Sequence, residues 1–213
     1  MLEVYALFLK ICYGEIMRKL SLYIFLVLMW CNVVFTEEIT DFELDGISIG
    51  DTLLKHMSEE EIMSNQKDSN KAYKNLGKQI FFEAYMVSTS NDIDFKSFFI
   101  KSNDKNFIIQ AIYATKTYEN NVEECFARLN KITKHYDENF KSLKKKSEKL
   151  KILYDPSGKS YMKRVVYKFK NSDRIAIECY DFDETFQKDY GYQNPDALNI
   201  SFNRKELYLW INP

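Results

Sequence analysis

The stretch Tyr161–Phe182, YMKRVVYKFKNSDRIAIECYDF, decides the fold class. Two runs rich in β-branched and aromatic residues flank Asn171-Ser172-Asp173, so the segment predicts strands at Tyr161–Lys170 and Arg174–Phe182 joined by a turn. In the second run Ile175, Ile177 and Cys179 alternate with Arg174 and Glu178, the period of a strand with one face in the core. Immediately upstream, Asp155-Pro156-Ser157-Gly158 is a further turn signal after Leu150–Tyr154.

Before that turn the period changes. Val122, Cys125, Leu129, Ile132, Tyr136, Phe140 and Leu143 recur at three- and four-residue steps, which predicts an amphipathic helix from about Tyr118 to Lys149. Earlier still, three strands are expected: Gln79–Val87 with Ile80, Phe82, Ala84 and Met86 on one face, Asp94–Lys101 with Phe95 and Phe99, and Phe107–Ala114 with Ile109, Ala111 and Tyr113. Their joins, Ser88–Ile93 and Ser102–Asn106, are short and polar, as in an antiparallel meander. In Asp41–Asn65 a short extended piece around Ile47 and Ile49 breaks at Gly50-Asp51. Asp51 is placed to cap a helix carrying Leu53, Leu54 and Met57, and Ser58 with Glu61 matches a capping box. Gln66–Lys78 is polar and reads as loop. Downstream come a polar and aromatic loop at Asp183–Pro195, a strand at Ala197–Phe202 and a short helix with Leu207, Trp210 and Ile211. The expectation is a two-layer α+β domain over residues 37–213: an antiparallel sheet of about six strands with a long helix packed on one face.

The 213 residues carry 16 Phe and 15 Tyr but only 6 Gly and 3 Pro, a composition that supports a packed core rather than linkers or disorder. A net charge of −1 and a pI near 6.2 supply no field for nucleic acid. Ahead of the domain, Leu20–Phe35 reads LSLYIFLVLMWCNVVF without a charge. Arg18 and Lys19 stand before it, Glu37 and Glu38 after it. That pattern predicts residues 1–36 to be a secretory signal peptide cut near Glu37, or an N-terminal hydrophobic anchor if uncleaved. Met17 is a second candidate start, and if the chain begins there, residues 1–16 are an upstream misassignment. Trp30 before Cys31 argues against lipidation there. The expected place is therefore periplasmic or secreted, in a Gram-negative envelope, with an inner-membrane anchor and membrane association through Leu20–Phe35 as the alternative.

Loss of the signal removes Cys12 and Cys31 and leaves Cys125 and Cys179, one on the helix stripe and one on the inward face of a strand. Both sulfurs are thereby aimed into one core, so a disulfide is expected in an oxidising compartment. A bridge closing a loop of roughly 50 residues stabilises by ~3–4 kcal/mol in the chain-entropy account.

No motif for chemistry rises above its structural reading. Gly158-Lys159-Ser160 resembles the tail of a phosphate loop, but Leu153 stands where the first Gly belongs, and a strand follows instead of a helix. His56 and His135 lack ligand spacing, and no G-x-S-x-G occurs. Asp181, Asp183 and Glu184 are weak candidates for calcium ligands or acid–base work, although the twelve-residue calcium loop is missing. The run Lys141 to Lys151 is expected to decorate the end of the long helix. No catalytic residue, cofactor or metal site is assigned.

Three stretches, DFELDGISIGDTLLKHMSEEEI, the DKNFIIQAIYA and NNVEECF block, and YDPSGKSYMKRVVYKFKNSDRIAIECYDF, resemble a group of uncharacterised small exported proteins of AT-rich marine alphaproteobacteria. The resemblance implies a periplasmic setting and brings no site residue. The ISIGD opening also resembles small envelope-assembly and inhibitor domains of the BamE type. The functional expectation is a non-catalytic exported module that binds an envelope protein or a ligand. The alternative is a periplasmic hydrolase, or a calcium or small-molecule binder, using the 181–184 loop with Tyr190 and Tyr192.

Overall fold

The computed structural model describes residues 38–73, 76–118, 121–186 and 196–212. The chain divides into Met1–Thr36 and Glu37–Pro213, and every described residue belongs to the second unit. Leu20–Phe35, Tyr190 and Tyr192 lie outside the described residues. Among those described, no helix is long and apolar enough to cross a membrane.

Strands β1 (Glu43–Leu44) and β2 (Ile47–Ser48) form a small hairpin. It turns on Asp45 and Gly46, both at positive φ (55° and 76°), the two-residue turn that glycine makes without strain. Helix α1 (Glu59–Ala72) leads to β3 (Phe81–Val87), β4 (Phe95–Lys101) and β5 (Ile109–Tyr118). Helix α2 (Val122–Asn139) is followed by β6 (Lys144–Lys151), β7 (Tyr161–Lys168), β8 (Arg174–Asp181), β9 (Asp196–Asn203) and helix α3 (Lys205–Ile211). Strands β3 to β9 make one antiparallel sheet of seven in the order β3-β4-β5-β9-β8-β7-β6. The last strand thus enters the middle and welds two meanders together.

The protein is α+β, as its alternating and helical periods imply. Helix α2 buries Cys125 and Leu129 against the face that carries Ile112, Ile175, Ile177, Cys179, Leu198 and Phe202. Cys125 and Cys179 form a disulfide across this interface, 54 residues apart in sequence. Phe42, from the N-terminal segment, stacks among Tyr136, Phe140, Phe169 and Phe202 and closes one end of the layer.

Several elements depart from the sequence expectation. Helix α2 stops at Asn139, with Phe140 as its C-cap, because Lys144–Lys151 pairs with β7 residue for residue and forms a seventh strand. The lysine run is therefore an edge strand, not a helix end. Helix α1 begins at the Ser58–Glu61 capping box but continues through the supposed loop to Ala72. Its polar side chains dock it: the N–H groups of Glu83 and Tyr85, on the outer edge of β3, donate to Ser69 Oγ (2.7 Å) and Asn65 Oδ1 (3.1 Å). The Leu53 segment is one 3₁₀ turn, Leu53–Lys55, capped by Thr52 rather than Asp51. In β5 the register slips: Phe99 faces Ala111 whereas Ile100 faces Ile109, leaving Gln110 as a bulge. Ile109 joins the α2 side of the sheet, whereas Ala111 and Tyr113 belong to the opposite face. That face has its own cover, since α3 packs Leu207 and Trp210 on Phe81, Phe99 and Ala111. The helices do not all lie on one side.

Candidate functional site

Helix α3 covers only the β3-β4-β5 half of the second face. Over β6 to β9 the register sets side chains in rows that cross the strands. The first row runs Lys144, Lys168, Arg174, Asn203. The second runs Lys146, Val166, Ala176, Ser201 and on to Tyr113 of β5. The third runs Glu148, Arg164, Glu178, Asn199. Small side chains at Ala176 and Ser201, on the two central strands, leave a depression between longer neighbours on either side. The result is an open groove of about 600 Å³, walled at one side by Tyr208, Ile211 and Asn212 at the end of the chain. That volume lies in the range of small-ligand sites.

The third row is electrostatically closed. Arg164 Nη2 donates to Glu148 Oε2 at 2.7 Å, and its Nη1 lies 3.7 Å from Glu178 Oε1. The Tyr180 hydroxyl donates to Glu178 Oε2 at 2.9 Å. Burial pushes the Glu178 carboxyl up, opposed by the Tyr180 hydroxyl and Arg164. Burial likewise raises the hydroxyls of Tyr113 and Tyr180, with the Glu178 charge adding to both and hydrogen bonding from Asn203 and Asn199, respectively, opposing the shift.

The first row is open. Arg174 lays its guanidinium carbon 3.2 Å from the Tyr208 ring centroid and has no ion-pair partner among the described residues. Its Nε is buried and makes no hydrogen bond, and the same holds for Arg164 Nε. Asn203 is 4% exposed. Its amide nitrogen donates to Ser201 Oγ at 2.9 Å while its Oδ1 is buried without a partner. Buried polar atoms are nearly always paired, and each orphan costs about 1–3 kcal/mol. Three such atoms, Arg164 Nε, Arg174 Nε and Asn203 Oδ1, belong to residues that line this one groove.

No protein-family model matches this chain, and no curated protein and no solved structure is significantly similar to it. The groove's chemistry rests on its own atoms.

The sequence candidates fall elsewhere. Asp181 accepts from the Tyr161 hydroxyl and thereby pushes it up to about 12. Asp183 Oδ1 accepts from the Thr185 and Phe186 N–H groups (3.1 and 3.4 Å) and closes a local turn, with Lys159 Nζ 3.7 Å from its other oxygen. Glu184 is exposed. Asp181 and Asp183 thus serve separate local contacts. Among the described residues no group of three or more His, Cys, Asp or Glu is placed to hold a metal. The Gly158-Lys159-Ser160 segment belongs to the β6–β7 connection, where the buried Asp155 accepts from Ser157 and Ser160 N–H groups at 2.8 Å each. His56 and His135 are exposed. The groove residues were half visible in the sequence, since Arg174 and Glu178 occupy the outward positions of β8. Their cross-strand neighbours depend on a register that no single segment encodes.

Proposed function

We propose that this is an exported, non-catalytic binding module of the cell envelope, and that the groove over β6–β9 is its binding surface. The observation that carries the reading is the set of buried, unpartnered atoms beside the groove: Arg164 Nε, Arg174 Nε and Asn203 Oδ1. Among the described residues the lining includes no Cys or His, and the Ser201 hydroxyl accepts from Asn203. Such a lining orients a bound molecule rather than attacking it. Export is supported by the basic-then-apolar Arg18–Phe35 pattern and by a disulfide that joins helix to sheet, a bond that persists in oxidising compartments.

The test is the intact mass of the protein from an envelope fraction, before and after reduction with alkylation. A mass near that of Glu37–Pro213, with two thiols appearing only after reduction, is expected. A full-length mass with four free thiols would remove the export half of the proposal.

A further inference from the structure

We infer that the groove holds an oxyanion, the carboxylate or phosphate of a small molecule, on Arg174 and Lys168, with a donor of the same molecule directed at Asn203 Oδ1. The inference rests on the groove's being the binding surface and specifies what it takes.

The first and third rows differ in charge balance. In the third row acid, base and acid alternate across Glu148, Arg164 and Glu178 and balance one another in charge. In the first row Lys144, Lys168 and Arg174 stand on three consecutive strands with no carboxylate among them. Directly opposed residues on antiparallel strands lie ~4.5–5.5 Å apart, and like charges at that spacing destabilise a sheet. The chain as a whole is slightly acidic, at −1, so this concentration of cations is local. An oxyanion placed over the row reverses the repulsion.

Arg174 is built for that role. Its guanidinium is stacked on Tyr208, which fixes the plane and leaves the in-plane N–H groups for an acceptor, the geometry in which arginine binds carboxylate or phosphate. Across the strand pair stands Asn203, whose buried Oδ1 requires a donor. An oxyanion without a donor, such as succinate, satisfies the arginine but not the asparagine, whereas hydrogen phosphate carries its own O–H. A molecule with an oxyanion and an N–H or O–H one or two bonds away satisfies both, and the floor at Ala176 and Ser201 leaves room for its body.

The experiment titrates the full protein, isolated from the envelope, with inorganic phosphate, with glycine amide, with succinate and with succinamide. All titrations are run at constant ionic strength and followed by melting temperature and by the ¹⁵N–¹H resonances of the arginine Nε groups. Phosphate or succinate is expected to raise the melting temperature saturably and to shift the Arg174 Nε signal, with succinamide inert; which of the two is tighter identifies phosphate or carboxylate. Arg174→Gln should weaken the effective probe at least tenfold, whereas Lys131→Gln, on the exposed side of α2, should leave it unchanged. Asn203→Asp keeps the fold testable if the arginine variant is unstable: its carboxylate occupies the subsite, so the melting temperature should rise and anion binding should vanish. Succinamide or glycine amide binding in the groove as tightly as succinate, with Arg174→Gln without effect, would overturn the oxyanion and leave the binding surface standing. No groove resonance moved by any probe would overturn both. Full anion affinity in Asn203→Asp would also overturn the oxyanion.

Discussion

Asp196 shows how one side chain is set by what surrounds it. It opens β9 at 4% exposure and accepts the Phe182 N–H at 3.3 Å. Burial pushes its carboxyl up to about 6; that hydrogen bond opposes the shift, and the charges of Asp181 and Glu123 add to it. The folded protein therefore holds this proton more tightly than the unfolded chain, whose value is ~3.9. The stabilisation is complete below the unfolded value and is lost as pH rises through about 6. Asp196→Asn is expected to flatten the melting-temperature profile between pH 4 and 7 and to raise it by a few degrees at neutral pH. An unaltered profile in a thermal scan would assign the pH dependence to another group. Asp155 has the opposite sign. Burial raises its carboxyl, but hydrogen bonds from Ser160 and Ser157 outweigh that and hold it well below the usual carboxylate range. Its contribution is present above the unfolded value and disappears as pH falls, so Asp155→Ala should destabilise at pH 7 and converge on the wild type in acid.

At the scale of elements, both edges of the sheet are protected by different means. On the β3 edge, α1 offers Asn65 and Ser69 to strand N–H groups that would otherwise point at nothing. Ser69 and Glu83 are 1% and 8% exposed, so Ser69→Ala strands a buried donor. A loss of about 1–3 kcal/mol is expected, read from urea midpoints. On the other edge, β6 has no outer strand among the described residues and carries lysine at most positions. Charge on an exposed edge opposes pairing with a second chain. Replacing Lys145 and Lys149 by valine should produce self-association visible by sedimentation velocity, and a persistent monomer would show that the charges are not what keeps this edge solitary. The same design makes β6 resemble a helix in sequence: an edge strand shielded by lysine has no apolar alternation, and Lys and Glu favour helices in isolation.

Across the molecule, the disulfide joins the two layers at a point where both residues have no exposure. Its 54-residue span gives about 4 kcal/mol by loop closure. Reduction under mildly denaturing conditions should lower the melting temperature by about 8–16 °C, at ~2–4 °C per kcal/mol for a domain of this size. Calorimetry with and without reductant measures it, and a shift under ~2 °C would mean that the unfolded chain is already compact around this pair.

Much of this was settled by the chain alone. Alternation in Tyr161–Phe182 and the three-and-four stripe from Val122 dictated a sheet and a helix, because those periods place apolar groups on one face whatever the neighbours do. The same periods aimed Cys125 and Cys179 at a common core, and the Ser58–Glu61 spacing located a helix start through a bond that closes within one turn. Everything that depended on partners distant in sequence was decided by the tertiary structure. Ser69 and Asn65 are unremarkable helix residues until β3 arrives beside them; Gln110 is a bulge only because β4 pairs on both sides of it; Lys144–Lys151 is a strand only because β7 offers an edge. The groove is the extreme case. Arg164, Arg174, Asn203 and Tyr113 come from four strands, and what brings them to one surface is a register fixed by inserting β9 between β5 and β8, an arrangement whose stabilisation comes from the whole buried sheet and not from any segment of it.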